Sequence, residues 1–316
     1  MHIQKKYINN LYIAILLCNL VGCGTISLNQ VSQFGVASAD LNESAKHAFN
    51  LIDQVTVDRQ LYSIASDIKT GPTDASYNGL FDTGEGDAQA KKISEHLRLR
   101  LEALDALSGY SSALKKIVEA ESSADIDSAS LELNTSLTEL KDRYEASQKY
   151  SKIDTETINI LSTTVNAIGK SVIEERKRTA LKAIIIRTDP VIQETAILIS
   201  RDLGSNTELA RYTYESISNT RGSIQTAYNL EKKSNSFESR YALLLRAKEI
   251  NTAEKSAPGF FDAVSKGANA IAKTHAAMRK VVEQDQFSSA EIGASLAELK
   301  KQAKSVRDFQ NSLTKQ

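Results

Sequence analysis

Proline is scarce in this chain, and that scarcity constrains its fold more than any other feature. Only Pro72, Pro190 and Pro258 occur in 316 residues. Proline breaks a helix interior because it lacks an N–H and clashes with the preceding turn. The long intervals between the prolines are dominated by Ala, Leu, Lys, Glu, Gln and Ser, the residues of helices rather than sheets. Aromatic residues are few and Trp is missing. The expected fold class is all-α.

Apolar residues recur at steps of three and four, the signature of a helix with one buried stripe. The spacing predicts seven or eight helices. The first covers residues 28–68, with Phe34, Leu41, Ala45, Ala48, Ile52 and Val55 on its stripe, and ends at Thr70-Gly71-Pro72. Ser38 and Asp40 are alternative starts, since both are good caps. A glycine-bearing loop follows to Asp87. The second helix, 88–121, carries Ile93, Leu97, Leu101, Leu104, Leu114, Ile117 and Val118. Asp125 or Asp127 opens a third with Leu133, Leu137, Leu140 and Tyr144. Asp154 and Thr155 cap a fourth with Ile158, Leu161, Val165, Ile168 and Val172.

Asp189-Pro190 predicts a further boundary, because Asp caps helices and Pro fits their first turn. The short helix it opens stops near Gly204, so a subdivision of the body is expected near residues 188–206. A long helix is expected over 207–252, kinked near Lys232 to Ser236 where the stripe lapses. Pro258 restarts the pattern with Phe261, Val264, Ala268, Ile271, His275, Met278 and Val282. Ser288 or Ser289 opens the last helix, with Ile292, Leu296, Leu299, Ala303, Val306, Phe309 and Leu313. Helices of this length bury their stripes by packing on one another, so residues 28–316 are expected to form an elongated bundle of long antiparallel amphipathic helices.

Two segments resemble each other. Ala113-Leu114-Lys115-Lys116-Ile117-Val118-Glu119 aligns with Ala277-Met278-Arg279-Lys280-Val281-Val282-Glu283, and Ser136-Leu137-Thr138-Glu139-Leu140-Lys141 aligns with Ser295-Leu296-Ala297-Glu298-Leu299-Lys300. A duplicated helical hairpin explains this. So does the shared vocabulary of amphipathic helices, which is the simpler account because two copies do not make a repeat array.

The N-terminus has the layout of an export signal. Lys5 and Lys6 supply positive charge, Leu11 to Leu17 supply an apolar core, and Leu20-Val21-Gly22-Cys23 follows. These four residues resemble the lipobox of bacterial lipoproteins: an apolar residue, a tolerant position, a small residue and an obligatory cysteine. The resemblance implies that residues 1–22 are a cleaved signal peptide, that Cys23 carries lipid, and that 23–27 form a short tether. It also implies acylation of the new amine, and Gly24 in place of aspartate favours the periplasmic face of the outer membrane over the inner membrane. The competing reading is an uncleaved single span. That apolar run falls short of the roughly 20 residues a span needs, and Asn9, Asn10 and Asn19 interrupt it.

Cysteine use fits this reading. Cys18 lies in the signal and Cys23 is lipidated, so the body keeps no thiol for a disulfide, a metal site or catalysis. Of the 39 basic side chains only Lys5 and Lys6 lie in the signal, so the rest nearly balance the 39 acidic ones. A nucleic-acid partner would want a basic patch, and none is expected.

Chemical motifs are sparse. His47, His96 and His275 have no four-residue spacing for zinc. His275 falls on an apolar stripe and reads as a packed core residue, whereas His47 and His96 read as surface. Asp82-Thr83-Gly84-Glu85-Gly86-Asp87 lacks the alternating ligands of a calcium loop and reads as a solvated acidic loop. Ser171 beside Lys170 lies in a helical run with no partner. No serine elbow, Walker loop or dinucleotide fingerprint occurs, so no catalytic, cofactor or metal residue is assigned. Tyr212, Tyr214, Tyr228 and Tyr241 fall on one expected helix. The last three either rim a partner groove or sit at the core edge, which is commoner. The expected role is a non-enzymatic envelope lipoprotein that binds or scaffolds a protein partner. The alternatives are an envelope enzyme assembled from scattered helices, or a surface effector or immunity-type protein.

Overall fold

A computed structural model of the chain describes residues 28–66, 88–146, 173–233, 236–284 and 289–314. Among these residues there are seven helices and no strand: α1 (Leu28–Ser66), α2 (Ala88–Glu119), α3 (Ser123–Ala146), α4 (Ile173–Asp202), α5 (Glu208–Glu231), α6 (Phe237–Gln284) and α7 (Ser289–Thr314). The all-α bundle expected from the stripes is what forms. Ser38 and Asp40 lie inside α1. The expected helix near Ile158 to Val172, the 70–87 loop with its acidic cluster, and Ser171 with Lys170 lie outside the described residues.

The 48-residue α6 is the spine, about 70 Å long at 1.5 Å per residue. α4 and then α5 run antiparallel along it, joined by a short break. Asp189 of α4 meets His275, Ser200 meets Ser265, Ser205 meets Asp262, and Arg221 of α5 meets Glu254. α7 folds back on the C-terminal half of α6, where Phe309 stacks on Phe260. α1 packs between α2 and α7. It is antiparallel to α2 but parallel to α7, where Gln33 pairs with Lys300 and Asp40 with Arg307. One contiguous apolar core runs from Val31 to Phe309.

Both internal prolines were expected to mark boundaries, and neither does. α4 passes through Pro190 and α6 through Pro258 without ending. Each proline is exposed, so the carbonyl that loses its partner lies on the solvent side. A proline in a helix interior costs about 3 kcal/mol. Around Pro258 the same helix buries Ile250, Ala253, Ala257, Phe260, Phe261 and Val264. At about 1.5–3 kcal/mol for each large side chain, packing wins. The real break is the expected kink: α5 stops at Glu231 and α6 starts at Phe237. Tyr241 therefore sits on a different helix from Tyr212, Tyr214 and Tyr228.

α3 opens one turn earlier than an Asp125 cap would place it. The Ser122 hydroxyl accepts the Asp125 N–H at 3.2 Å, while the Asp125 carboxylate accepts the Ser122 N–H at 2.8 Å. This reciprocal pair is a capping box, with Asp125 inside the helix. Its carboxyl is held below the usual carboxylate range by the Ser122 hydroxyl and by the backbone N–H groups of Glu121 and Ser122.

The two similar segments correspond in space as well as in sequence. α2 with α3 and α6 with α7 are both helical hairpins. Leu104, Leu107, Leu114 and Ile117 are buried, as are the aligned Ala268, Ile271, Met278 and Val281; Leu133 and Leu137 match buried Ile292 and Leu296. Aligned residues also make the same cross-hairpin ion pair, Lys116 to Glu132 at 2.5 Å and Lys280 to Glu291 at 3.4 Å. Composition alone does not require that correspondence, so the duplicated-hairpin reading is the better one.

Close approach of α1 and α2 depends on Gly35. A Cβ there would lie 2.6 Å from the backbone oxygen of Ser111 and 3.0 Å from Cβ of Lys115. Helix propensity alone favours Ala over Gly by about 1 kcal/mol. Gly35→Ala should nonetheless destabilise the bundle by about 1–3 kcal/mol, since backbone must move. Urea denaturation measures this, and a variant as stable as the parent would mean that the two helices do not meet there.

Candidate functional site

The strongest constellation of polar side chains sits where α1, α2, α4 and α6 meet. Tyr110 of α2 follows Leu104 and Leu107 and precedes Leu114 and Ile117 on one stripe, so its ring is driven into the core with them. It is 0% exposed, as is His275 on the α6 stripe. Thr188 and Asp189 of α4 reach the same point, and Phe34 of α1 packs edge-on against the imidazole at 6.0 Å between centroids.

These groups form a chain of four hydrogen bonds. His275 Nδ1 lies 2.8 Å from Asp189 Oδ1, and His275 Nε2 lies 2.6 Å from the Tyr110 hydroxyl. That hydroxyl lies 2.9 Å from Thr188 Oγ1, which donates to the Ile184 carbonyl at 2.8 Å. Asp189 also accepts from Arg279 Nη1 at 3.1 Å and from Gln193 Nε2 at 3.1 Å. Gln193 donates to the Ala272 carbonyl as well, and Arg279 is tied to Glu283.

Both ends of the chain, a carboxylate and a carbonyl, only accept. Four links therefore need four protons. Neutral His275, Tyr110 and Thr188 bring three. Burial pushes the His275 pKa below the ordinary imidazole value, against the hydrogen bond and charge of Asp189. Burial likewise raises the Tyr110 pKa and keeps its phenol neutral. Burial pulls Asp189 upward too, but hydrogen bonds from His275, Gln193 and Arg279 outweigh it and hold the carboxyl down at about 2. In this state His275 donates to Asp189, Tyr110 donates to Nε2, and the Thr188 proton is shared between Ile184 and the tyrosine oxygen.

A carboxylate, an imidazole and a hydroxyl in series are the parts of a nucleophile relay. Here Tyr110 and His275 are sealed from solvent, so no reactant touches the hydroxyl. The network instead ties α2, α4 and α6 at one level and fixes their register. The histidine is legible as a core residue because of its stripe position. Its partners are not: Asp189 reads locally as a helix cap, and Tyr110 carries no motif, although its spacing from Leu107 and Leu114 puts it on the same stripe.

The remaining sequence candidates lie elsewhere. His47 is exposed on α1, and the environment of His96 lies outside the described side chains. Tyr214 packs edge-on to Phe261 at the core edge, whereas Tyr241 is 53% exposed. An open depression of about 540 Å³ at the α4–α5 junction is lined by Ser205, Thr207, Arg211 and Tyr214 among others. Most of these polar groups are engaged internally: Ser205 donates to Asp262, Thr207 caps α5, and Arg211 pairs with Glu215, while among the described residues the Tyr214 hydroxyl is buried without a hydrogen-bond partner. Among the described residues no cluster of His, Cys, Asp or Glu is placed to hold a metal ion.

Two outcomes are expected. Tyr110→Phe strips His275 Nε2 of its buried donor and should cost about 1–3 kcal/mol in denaturant unfolding; a neutral substitution would dissolve the relay. The unfolded chain binds protons at His275 from its ordinary value of 6.5, but the folded chain only below that. This contribution to stability is therefore present above about 6.5 and lost as pH falls from there through the depressed folded value. Asp189 adds a second loss between 3.8 and about 2. His275→Gln should flatten the first of these slopes, and an unchanged slope between about pH 7 and pH 5 would assign it elsewhere.

Comparison with protein-family models, with curated proteins and with solved structures finds no match.

Proposed function

We propose that this chain is a lipid-anchored protein of the bacterial envelope, attached through Cys23, whose helical body binds a protein partner. The observation that carries the binding role is an apolar face on the first three turns of α6. Phe237, Tyr241, Leu244 and Leu245 are 65%, 53%, 52% and 44% exposed. A contiguous exposed patch of this kind on an otherwise well-packed bundle is a usual mark of a protein contact. The other large exposed apolar residues among those described, Val36, Leu61, Leu131 and Ile197, are scattered over α1, α3 and α4.

Anchor and face lie at opposite ends of the bundle. Phe34 meets His275, so Leu28 lies near the C-terminal end of α6, about 60 Å along that helix from Tyr241. Cys23 precedes Leu28 by four intervening residues, which reach about 14 Å when extended. Lipid attached there leaves the apolar face unobstructed. No helix of the described residues is long and apolar enough to cross a membrane, and attachment falls to the acyl chains, each buried methylene contributing about 0.8 kcal/mol. Gly24 favours the periplasmic face of the outer membrane.

Cys23→Ala should abolish labelling by a fatty-acid analogue and move the protein from the membrane to the soluble fraction. Unchanged membrane association would reject the anchor. A photo-crosslinking residue in place of Leu244 should capture protein in intact cells, whereas one in place of exposed Lys301 on α7 should not. Equal capture from both would remove α6 as the binding face.

A further inference from the structure

The apolar face of α6 points away from the bundle. From Phe237 to Glu249 no residue is buried. Leu243 and Ala247 turn inward to pack on the core, and Ile250 is buried below them. At 100° per residue, Phe237, Tyr241, Leu244, Leu245 and Lys248 fall on the opposite side of the helix. Phe237 and Tyr241 are stacked, 5.8 Å between centroids and 11° between planes. This first stretch of α6 thus has two apolar stripes, and among the described residues only one of them has a partner.

We infer that the outward stripe pairs with the same stripe of a second copy of this chain, antiparallel, about a two-fold axis at the level of Leu243. The inference rests on the proposed binding role of this face and names its occupant. Charge placement selects both the copy and the direction. Glu238 and Lys248 flank the patch five residues either side of Leu243, and neither has an ion pair within the chain among the described residues. Antiparallel pairing sets Glu238 of one copy level with Lys248 of the other, twice. It also sets Tyr241 against Leu245. Parallel pairing would set Glu238 against Glu238 and Lys248 against Lys248. Arg246 does not interfere, since it turns to the bundle side and is held by Glu249 at 2.8 Å.

The patch offers roughly 400 Å² per copy. That is about half of what each side of a standard stable interface buries, so the dimer is weak and concentration-dependent. Two chains anchored on one surface gain from that confinement, which raises their effective concentration. A two-fold axis along the membrane normal leaves both Cys23 anchors on the same surface, at the two far ends of an extended dimer.

Sedimentation of the full chain in detergent, over a range of concentrations, tests the pairing. The chain should pass from monomer to dimer. Glu238→Lys alone and Lys248→Glu alone should each weaken association roughly tenfold, because each sets like charges together. The double variant should restore it. Both positions are exposed, and circular dichroism confirms that the variants stay folded. Direction is read by disulfide trapping in a chain with Cys18→Ser and Cys23→Ser. Leu244→Cys should form a covalent dimer on oxidation. Phe237→Cys should not, because the two copies of that residue lie about 18 Å apart along the helices, beyond disulfide reach. A chain that stays monomeric, a double variant that fails to regain pairing, or efficient trapping through Phe237→Cys would each overturn the inference. Capture of only a different protein from position 244 in cells would also overturn it, while leaving the anchor and the binding face standing.

Discussion

Helix α6 runs for about 70 Å and buries a stripe from Ile250 to Val282, and the arrangement of the other helices follows from how its inward side is covered. No single neighbour is long enough. α4 and α5, laid end to end, cover one flank; α7 covers the C-terminal half of the other; α1 fills the space between α7 and α2. The continuity of α6 through Pro258 is what makes this possible. Had the helix ended there, Phe260 and Phe261 would have entered a new element, free of the constraint that places Phe49, Phe309 and Tyr214 around them.

The hairpins α2–α3 and α6–α7 give the bundle an internal correspondence without making it symmetric. Their buried positions and their Lys–Glu pairs align, but the surroundings differ. Position 111 of α2 is Ser and its counterpart on α6 is His275; position 110 is Tyr and its counterpart is Thr274. Both members of each pair are buried. The polar network has therefore been built from unlike residues at corresponding places. The first hairpin supplies the tyrosine and the second supplies the histidine and arginine.

That network stands among the large apolar side chains of the core, where an unmatched polar group costs more than a matched one returns. Its effect is on register. A shift of α4 along α6 by one turn would leave Asp189 without His275 or Arg279, and a shift of α2 would leave the imidazole without the tyrosine hydroxyl. Apolar stripes of Leu, Ile and Ala tolerate such slips far better, because one turn of such a stripe resembles the next. The mixed parallel and antiparallel packing is pinned in a similar way by Gly35, which admits the Ser111 backbone at only one level. At the far end of α6 no such constraint operates. There the helix turns an apolar face outward that its own bundle does not cover.

Local sequence determined that this protein is helical, where most of its helices lie, and which stripes on them are apolar, because proline scarcity and three-to-four spacing act within a single helix. It also marked His275 as a core residue and located the break between α5 and α6 where the stripe lapses. Tertiary structure alone decided that Pro190 and Pro258 are passed over, since the energy offsetting each proline comes from side chains on other helices. It decided that Asp189 serves a histidine 86 residues away instead of capping a helix. It also decided which face of α6 stays uncovered. Two apolar stripes on one helix look equally buried from within the sequence, and only the position of the neighbouring helices leaves one of them in solvent.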